Sequence, residues 1–135
     1  MDLNSAMTIA AAGMKVQSAR LRVTAENLAN AESTAQAPGG DPFRRKTISF
    51  ANRHDSAQGL DLVDVQRVGV DRSDFPLRYQ PGHPAADAQG YVKYPNVNPL
   101  IELTDMREAQ RSYEANLNAM QLARSMIGRT LDILR

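Results

Sequence analysis

The sequence contains no cysteine and no tryptophan, and aromatic residues make up only 5% of its 135 positions. Without cysteine there are no disulfides, no thiol nucleophile, no cysteine-ligated zinc and no iron–sulfur cluster. So few large aromatics leave little to fill a thick globular core, although 42% of the residues are hydrophobic. An excess of charge of one sign is also missing. Sixteen basic residues face fifteen acidic ones, for a net +1, which argues against phosphate neutralisation along a nucleic acid and against a polybasic membrane surface. The longest apolar-leaning run, residues 6–14, includes Thr8 and Gly13. That is far short of the roughly 20 residues needed to span a bilayer. It also makes a poor cleaved secretory signal, because no basic residue precedes it. Direct membrane insertion is not expected.

Proline is absent from both ends. All seven prolines lie between Pro38 and Pro99, together with six of the eight glycines. The segregation predicts a helix–middle–helix chain: a mainly α fold with a small β insertion. The expected divisions are residues 1–32, 33–98 and 99–135, each nearly neutral.

The first helix is expected over residues 3–30, with Asn4 and Asn30 as candidate caps and Gly13 as its one weak interior residue, costing roughly 1 kcal/mol against Ala. Its apolar residues form two stripes. Met7, Met14, Leu21 and Leu28 recur every seven residues, and so do Ile9, Val16 and Val23. The stripes are offset by about 200° around a helix. Either the helix is buried in a small bundle, or it packs on its own chain on one side and on another subunit on the other.

The second helix is expected from Pro99 to about Leu134, with Asn98 as N-cap. Met106, Tyr113, Met120, Ile127 and Leu134 form an unbroken seven-residue series, and Leu103, Leu117 and Leu131 supply a companion seam interrupted by Gln110 and Arg124. A helix this long, with a heptad pattern, wants partners. Between the helices, period-two alternation predicts a strand over 60–65 that continues toward Val70. Candidate strands also cover 43–50, 75–79 and 91–94, with turns at Gly39-Gly40-Asp41-Pro42 and Pro81-Gly82-His83-Pro84.

Catalytic groupings are scarce. His54 and His83 are the only histidines, without metal-ligand spacing, and His83 reads as a turn residue. Asp61 and Asp64 point to opposite faces of a strand, so solvated edge charges are favoured over an acid–base pair. Asp71 and Asp74 lack the glycine and glutamate of a calcium loop. The run Arg44-Arg45-Lys46 reads as a solvated strand edge or as a surface for an acidic partner. No enzyme, cofactor or small-molecule substrate is indicated. What stands out is asparagine, a poor helix former, in Asn27-Leu28-Ala29-Asn30 and within the second helix at Asn116. Asn30 reads as a C-cap. Asn116 suits a role in register or in bonding to a neighbouring chain.

These residues carry a resemblance. The stretch Thr24-Ala25-Glu26-Asn27-Leu28-Ala29-Asn30-Ala31-Glu32-Ser33-Thr34 resembles the N-terminal signature of the bacterial flagellar axial family of rod, hook and hook-associated proteins. Residues 113–134 resemble its C-terminal helix. Gly82-His83, Gly90-Tyr91 and Pro95-Asn96-Val97-Asn98 resemble the proximal-rod branch. The resemblance implies a structural subunit whose terminal helices pair as a coiled coil inside a tubular polymer, with the middle region facing outward and motor torque carried along the shaft. It implies neighbouring rod subunits and the type III export apparatus as partners, and a place in the basal body, in the periplasm after export. On that reading Met14, Leu21 and Leu28 face Met106, Tyr113, Leu117, Met120, Ile127 and Leu131 within the chain. Ile9, Val16, Val23, Asn27, Asn30 and Asn116 face neighbouring subunits. The remaining alternatives are another short rod subunit, a coiled-coil adaptor or export chaperone, and, more remotely, a small rod-attached hydrolase.

Overall fold

A computed structural model describes residues 2–134. Six elements follow in chain order: helix α1 (Leu3–Ala29), strands β1 (Lys46–Asp55), β2 (Leu60–Val70), β3 (Leu77–Tyr79) and β4 (Tyr91–Lys93), and helix α2 (Pro99–Ile133). The two terminal helices and the small β content between them match the fold class read from proline segregation and periodicity.

Capping explains where the helices begin. Asp2, rather than the expected Asn4, caps α1: its carboxylate accepts the Ser5 N–H at 2.7 Å, and its carbonyl accepts the Ala6 N–H. At the other end Asn30 does cap, but with no left-handed backbone. Its side-chain amide donates to the Glu26 carbonyl at 2.8 Å, the same carbonyl its backbone N–H uses. Asn98 caps α2 as expected, accepting the Leu100 N–H at 3.0 Å.

The strands form two separate two-stranded sheets, β1 with β2 and β3 with β4. A connection of residues 56–59 joins β1 to β2, and Gly59 turns the chain there with a φ of +62°. The first sheet begins later than expected, at Lys46, because Arg45 gives its N–H to the side chain of Asn96 rather than to a strand. In the second sheet Arg78 stands opposite Val92 and Tyr79 opposite Tyr91, antiparallel.

The chain divides into two compact units, each drawing on both helices. The first comprises residues up to Leu21, Ile48–Arg67 and Arg107 onward; the second comprises Arg22–Thr47 and Val68–Met106. In the first, Ala10, Val16, Leu62, Ala109 and Ala123 are buried. α1 meets the hairpin through Lys15 and Asp64 at 3.2 Å and meets α2 through Arg20 and Glu108 at 3.3 Å. In the second, Ala85, Val92 and Tyr94 form a small core with Ala35 and Ala86 packed against it. Gly90, at φ +89°, is required there, since a Cβ would stand 2.8 Å from the Tyr79 ring.

Candidate functional site

The second unit holds a buried polar knot tying three elements together. Asn27, fully buried near the end of α1, clasps the backbone of Lys46 from both sides. Its amide donates to the Lys46 carbonyl at 2.8 Å, and its carbonyl oxygen accepts the Lys46 N–H at 2.8 Å. The second amide hydrogen goes to Glu102 Oε2 at 3.2 Å. Glu102, in the first turn of α2, is 0% exposed. Its other oxygen accepts Arg45 Nε in a short bond, and the Arg45 guanidinium also lies 3.9 Å from Asp71 and 3.8 Å from Asp105. Both amide hydrogens and the carbonyl oxygen of Asn27 are thereby partnered, as burial demands. Asn27 is therefore not open to a neighbouring subunit.

The basic run at 44–46 is consumed within the chain, neither as a solvated edge nor as a surface for an acidic partner. Arg44 lies 4.1 Å from the centre of the Phe75 ring and donates to the carbonyls of Asp71 and Ser73. Arg45 serves Glu102, and Lys46 reaches Glu26 at 2.6 Å. That bond holds the Glu26 carboxyl below its ordinary range. Asn96 braces the same corner, donating to Asp71 and Ser73. The signal missed in sequence was pairing across distance: Glu102 lies 57 residues from Arg45 and 75 from Asn27.

The first unit has a different contact between the helices. Gly13 lies so close to Asn116 that a Cβ at Gly13 would stand 2.8 Å from Asn116 Nδ2. The Asn116 amide also donates to the Ser112 carbonyl at 2.9 Å. The weak interior residue of α1 thus has a steric purpose.

Burial redraws the expected faces. Val16 and Val23, assigned to a neighbouring subunit, are 1% and 4% exposed within the single chain. Both side chains are thus already covered within the single chain. Of that stripe only Ile9 remains exposed, while Asn30 and Asn116 are half-buried. On the other list, Met14, Leu21, Leu28, Met106, Tyr113, Leu117, Met120 and Ile127 are half-buried, but Leu131 is exposed. α1 starts at Leu3, and Leu3 and Ile127 line one shallow hollow. The turns of α2 beyond Ile127 run past the start of α1. The most deeply buried positions of α2 are instead Glu102, Ala109 and Ala123, with Asn116 on the same seven-residue series. Leu100, Leu122, Met126, Leu131, Ile133 and Leu134 all point outward.

The remaining motif residues serve local structure. His83 Nδ1 accepts the Ala85 N–H at 3.0 Å, as a turn residue should. Tyr91 packs edge-on against Tyr79, and Pro95 is buried. Gly82 and Ala29 lie exposed. His54 pairs with Asp61 at 2.7 Å, and Asp64 with Arg53 and Lys15. Among the described residues no three metal-ligating side chains gather, and no helix is long and apolar enough to cross a membrane.

Much of the apolar surface of α2 is thus left uncovered by its own chain. Comparison with known proteins names the setting. The C-terminal region of flagellar basal body rod FlgEFG proteins matches residues 88–133. The flagellar basal-body rod protein FlgC of Agrobacterium fabrum is 52% identical over 98% of this chain and 96% of its own length. The FlgC protein of Salmonella typhimurium is 41% identical over 98% of each chain, and that of Bacillus subtilis is 35% identical over 94% and 95%. The chain belongs to the FlgC family of flagellar basal-body rod proteins. That family is structural, and the resemblance carried by Asn27 to Thr34, Gly82-His83 and Tyr91 points to it.

Proposed function

We propose that this FlgC-family chain is a non-enzymatic subunit of the proximal rod that polymerises with copies of itself and with neighbouring rod subunits through its terminal helices. One observation carries the reading: the outward apolar residues of α2, of which Leu122 is 64% and Ile133 84% exposed. Exposed side chains of this size in a continuous helix normally mark a protein contact. α1 and α2 pair as a short antiparallel coiled coil, supported by Arg20 on Glu108, by Gly13 on Asn116 and by Asn27 on Glu102. The middle region faces outward from the shaft, and the assembled rod transmits torque. The subunit reaches the periplasm through the flagellar type III export apparatus.

The test places Leu122→Asp and Met126→Asp in a strain lacking the endogenous protein. Neither side chain is needed to close the subunit, so the purified variants should keep their circular dichroism and thermal midpoint. Each should nonetheless abolish swimming and incorporation into basal bodies, by burying an unpaired charge at the contact. Normal swimming with normal rod occupancy would show that this face is not used. Loss of function with normal occupancy would favour an adaptor role instead.

A further inference from the structure

The apolar seam of the helix pair does not by itself define how the helices align. Met106, Tyr113, Met120 and Ile127 recur every seven residues, so a displacement of one heptad, about 10 Å along the axis, restores large apolar residues to the same face. Two features do not repeat. In the first unit Gly13 receives Asn116, and a Cβ there would stand 2.8 Å from the amide nitrogen and displace it. In the second, Asn27 receives Glu102. Gly13 and Asn27 are fourteen residues apart on α1, and Glu102 and Asn116 are fourteen apart on α2.

We propose that these two contacts are a two-point key that sets the register of α2 on α1 and so decides which residues of α2 are left outward for a neighbour. The inference rests on the pairing proposed above. Displacing α2 by seven residues in one direction sets Asn27 opposite Ala109, leaving its amide without the Glu102 oxygen. In the other direction Glu102 comes opposite Arg20, an acceptable ionic partner, but Asn27 is left beyond the start of α2 without its acceptor and Asn116 meets Ala6, which carries the Cβ that Gly13 lacks. A displacement in either direction therefore breaks both contacts at once, while the large apolar seam alone would tolerate it. The small residues Ala109 and Ala123 on the same series allow the close approach that the key requires, which is why the larger Leu122, Met126 and Leu131 are excluded from the seam. A polar residue in a seam fixes alignment at some expense in stability. This separates a key from ordinary packing.

The absence of native cysteine makes the experiment direct. Ala6→Cys with Ala123→Cys reports the observed alignment. Ala6→Cys with Thr130→Cys, and Ala10→Cys with Ser112→Cys, report one-heptad displacements in either direction. The purified full-length chain is oxidised and disulfide yield compared in four backgrounds: native, Asn116→Leu, Glu102→Leu, and both together. The native background should favour the first pair by on the order of tenfold, the size of coupling usual between contacting residues. In the combined variant that preference should collapse, with the displaced pairs closing at comparable yield. Asn116→Leu should not lower the thermal midpoint, whereas a residue that merely packs would. Asn116→Ala serves if the leucine fails to fold. Retention of the native preference in the combined variant, or loss of thermal stability with unchanged disulfide preference, overturns the key. Because the readout is taken on the isolated chain, it stands or falls separately from rod incorporation.

Discussion

At the scale of single residues, Asn27 shows how a poor helix former becomes indispensable. It sits in the last turns of α1 and spends its amide on groups outside the helix. Replacing it with alanine strands Glu102 Oε2 and both backbone groups of Lys46. Unsatisfied buried groups cost about 1–3 kcal/mol each, partly relieved by water. Asn27→Ala should therefore lower stability by roughly 2 kcal/mol in urea unfolding, and Asn27→Asp by more, since it faces Glu102 with a second negative charge. A midpoint unchanged by either variant would mean that the knot opens in solution. Gly13 makes the opposite point. In a free helix Gly→Ala gains roughly 1 kcal/mol, yet here the added Cβ would stand 2.8 Å from Asn116 Nδ2. Gly13→Ala should destabilise the native chain and stabilise an Asn116→Ala background. The same sign in both backgrounds would rule out the steric account.

At the scale of elements, both helices and the order of the strands were legible in the sequence, because seven-residue spacing, proline placement and period-two alternation are local signals. The partners of those elements were not. The reading that gave Val16 and Val23 to a neighbour assumed that a second apolar stripe has no taker inside one chain. The single chain does cover both, at 1% and 4% exposure, so the stripe finds its cover internally. The most deeply buried positions of α2 were missed for a related reason. Large side chains mark a heptad conspicuously, but close approach selects Ala109 and Ala123, which composition alone does not single out. The asparagine motif pointed to Asn27 correctly as special, while its partners Lys46 and Glu102 lay too far along the chain to be seen.

The hairpin's attachment also has a pH signature. The side-chain hydrogen bond from Lys15 holds the Asp64 carboxyl below its ordinary 3.8, and that from Lys46 holds Glu26 below its ordinary 4.5. Both groups bind protons more readily in the unfolded chain than in the folded one. Their contribution is therefore complete above about pH 4.5 and is lost as the pH falls through the depressed folded values. Unfolding midpoints should be flat from neutrality to that point and then decline. In Asp64→Asn and Glu26→Gln together, the decline should be shallower. An identical acid limb would mean that neither ion pair holds the hairpin in place. Both pairs are partly exposed, so the effect should also weaken in high salt.

At the scale of the whole molecule, the end of α2 is where the chain leaves most of its own apolar surface uncovered. The overlap of the two helices ends near Leu3 and Ile127. Beyond it α2 carries Leu131, Ile133 and Leu134, exposed at 60%, 84% and 78%. A helical end with no tertiary cover has only its backbone bonds, and isolated helical turns are marginal in water. Amide hydrogen exchange on the purified chain should therefore be slow around Asn27, Lys46 and Glu102 and fast over residues 128–134. In isolated basal bodies the same last turns should become protected, because the neighbour that buries Leu131 and Ile133 also orders the helix on which they lie. The difference between free and assembled protein should be confined to the uncovered turns of α2, leaving the polar knot alike in both. Strong protection of residues 128–134 in the isolated chain would mean that the subunit covers its own end, and the outward face of α2 would have to find its partner elsewhere.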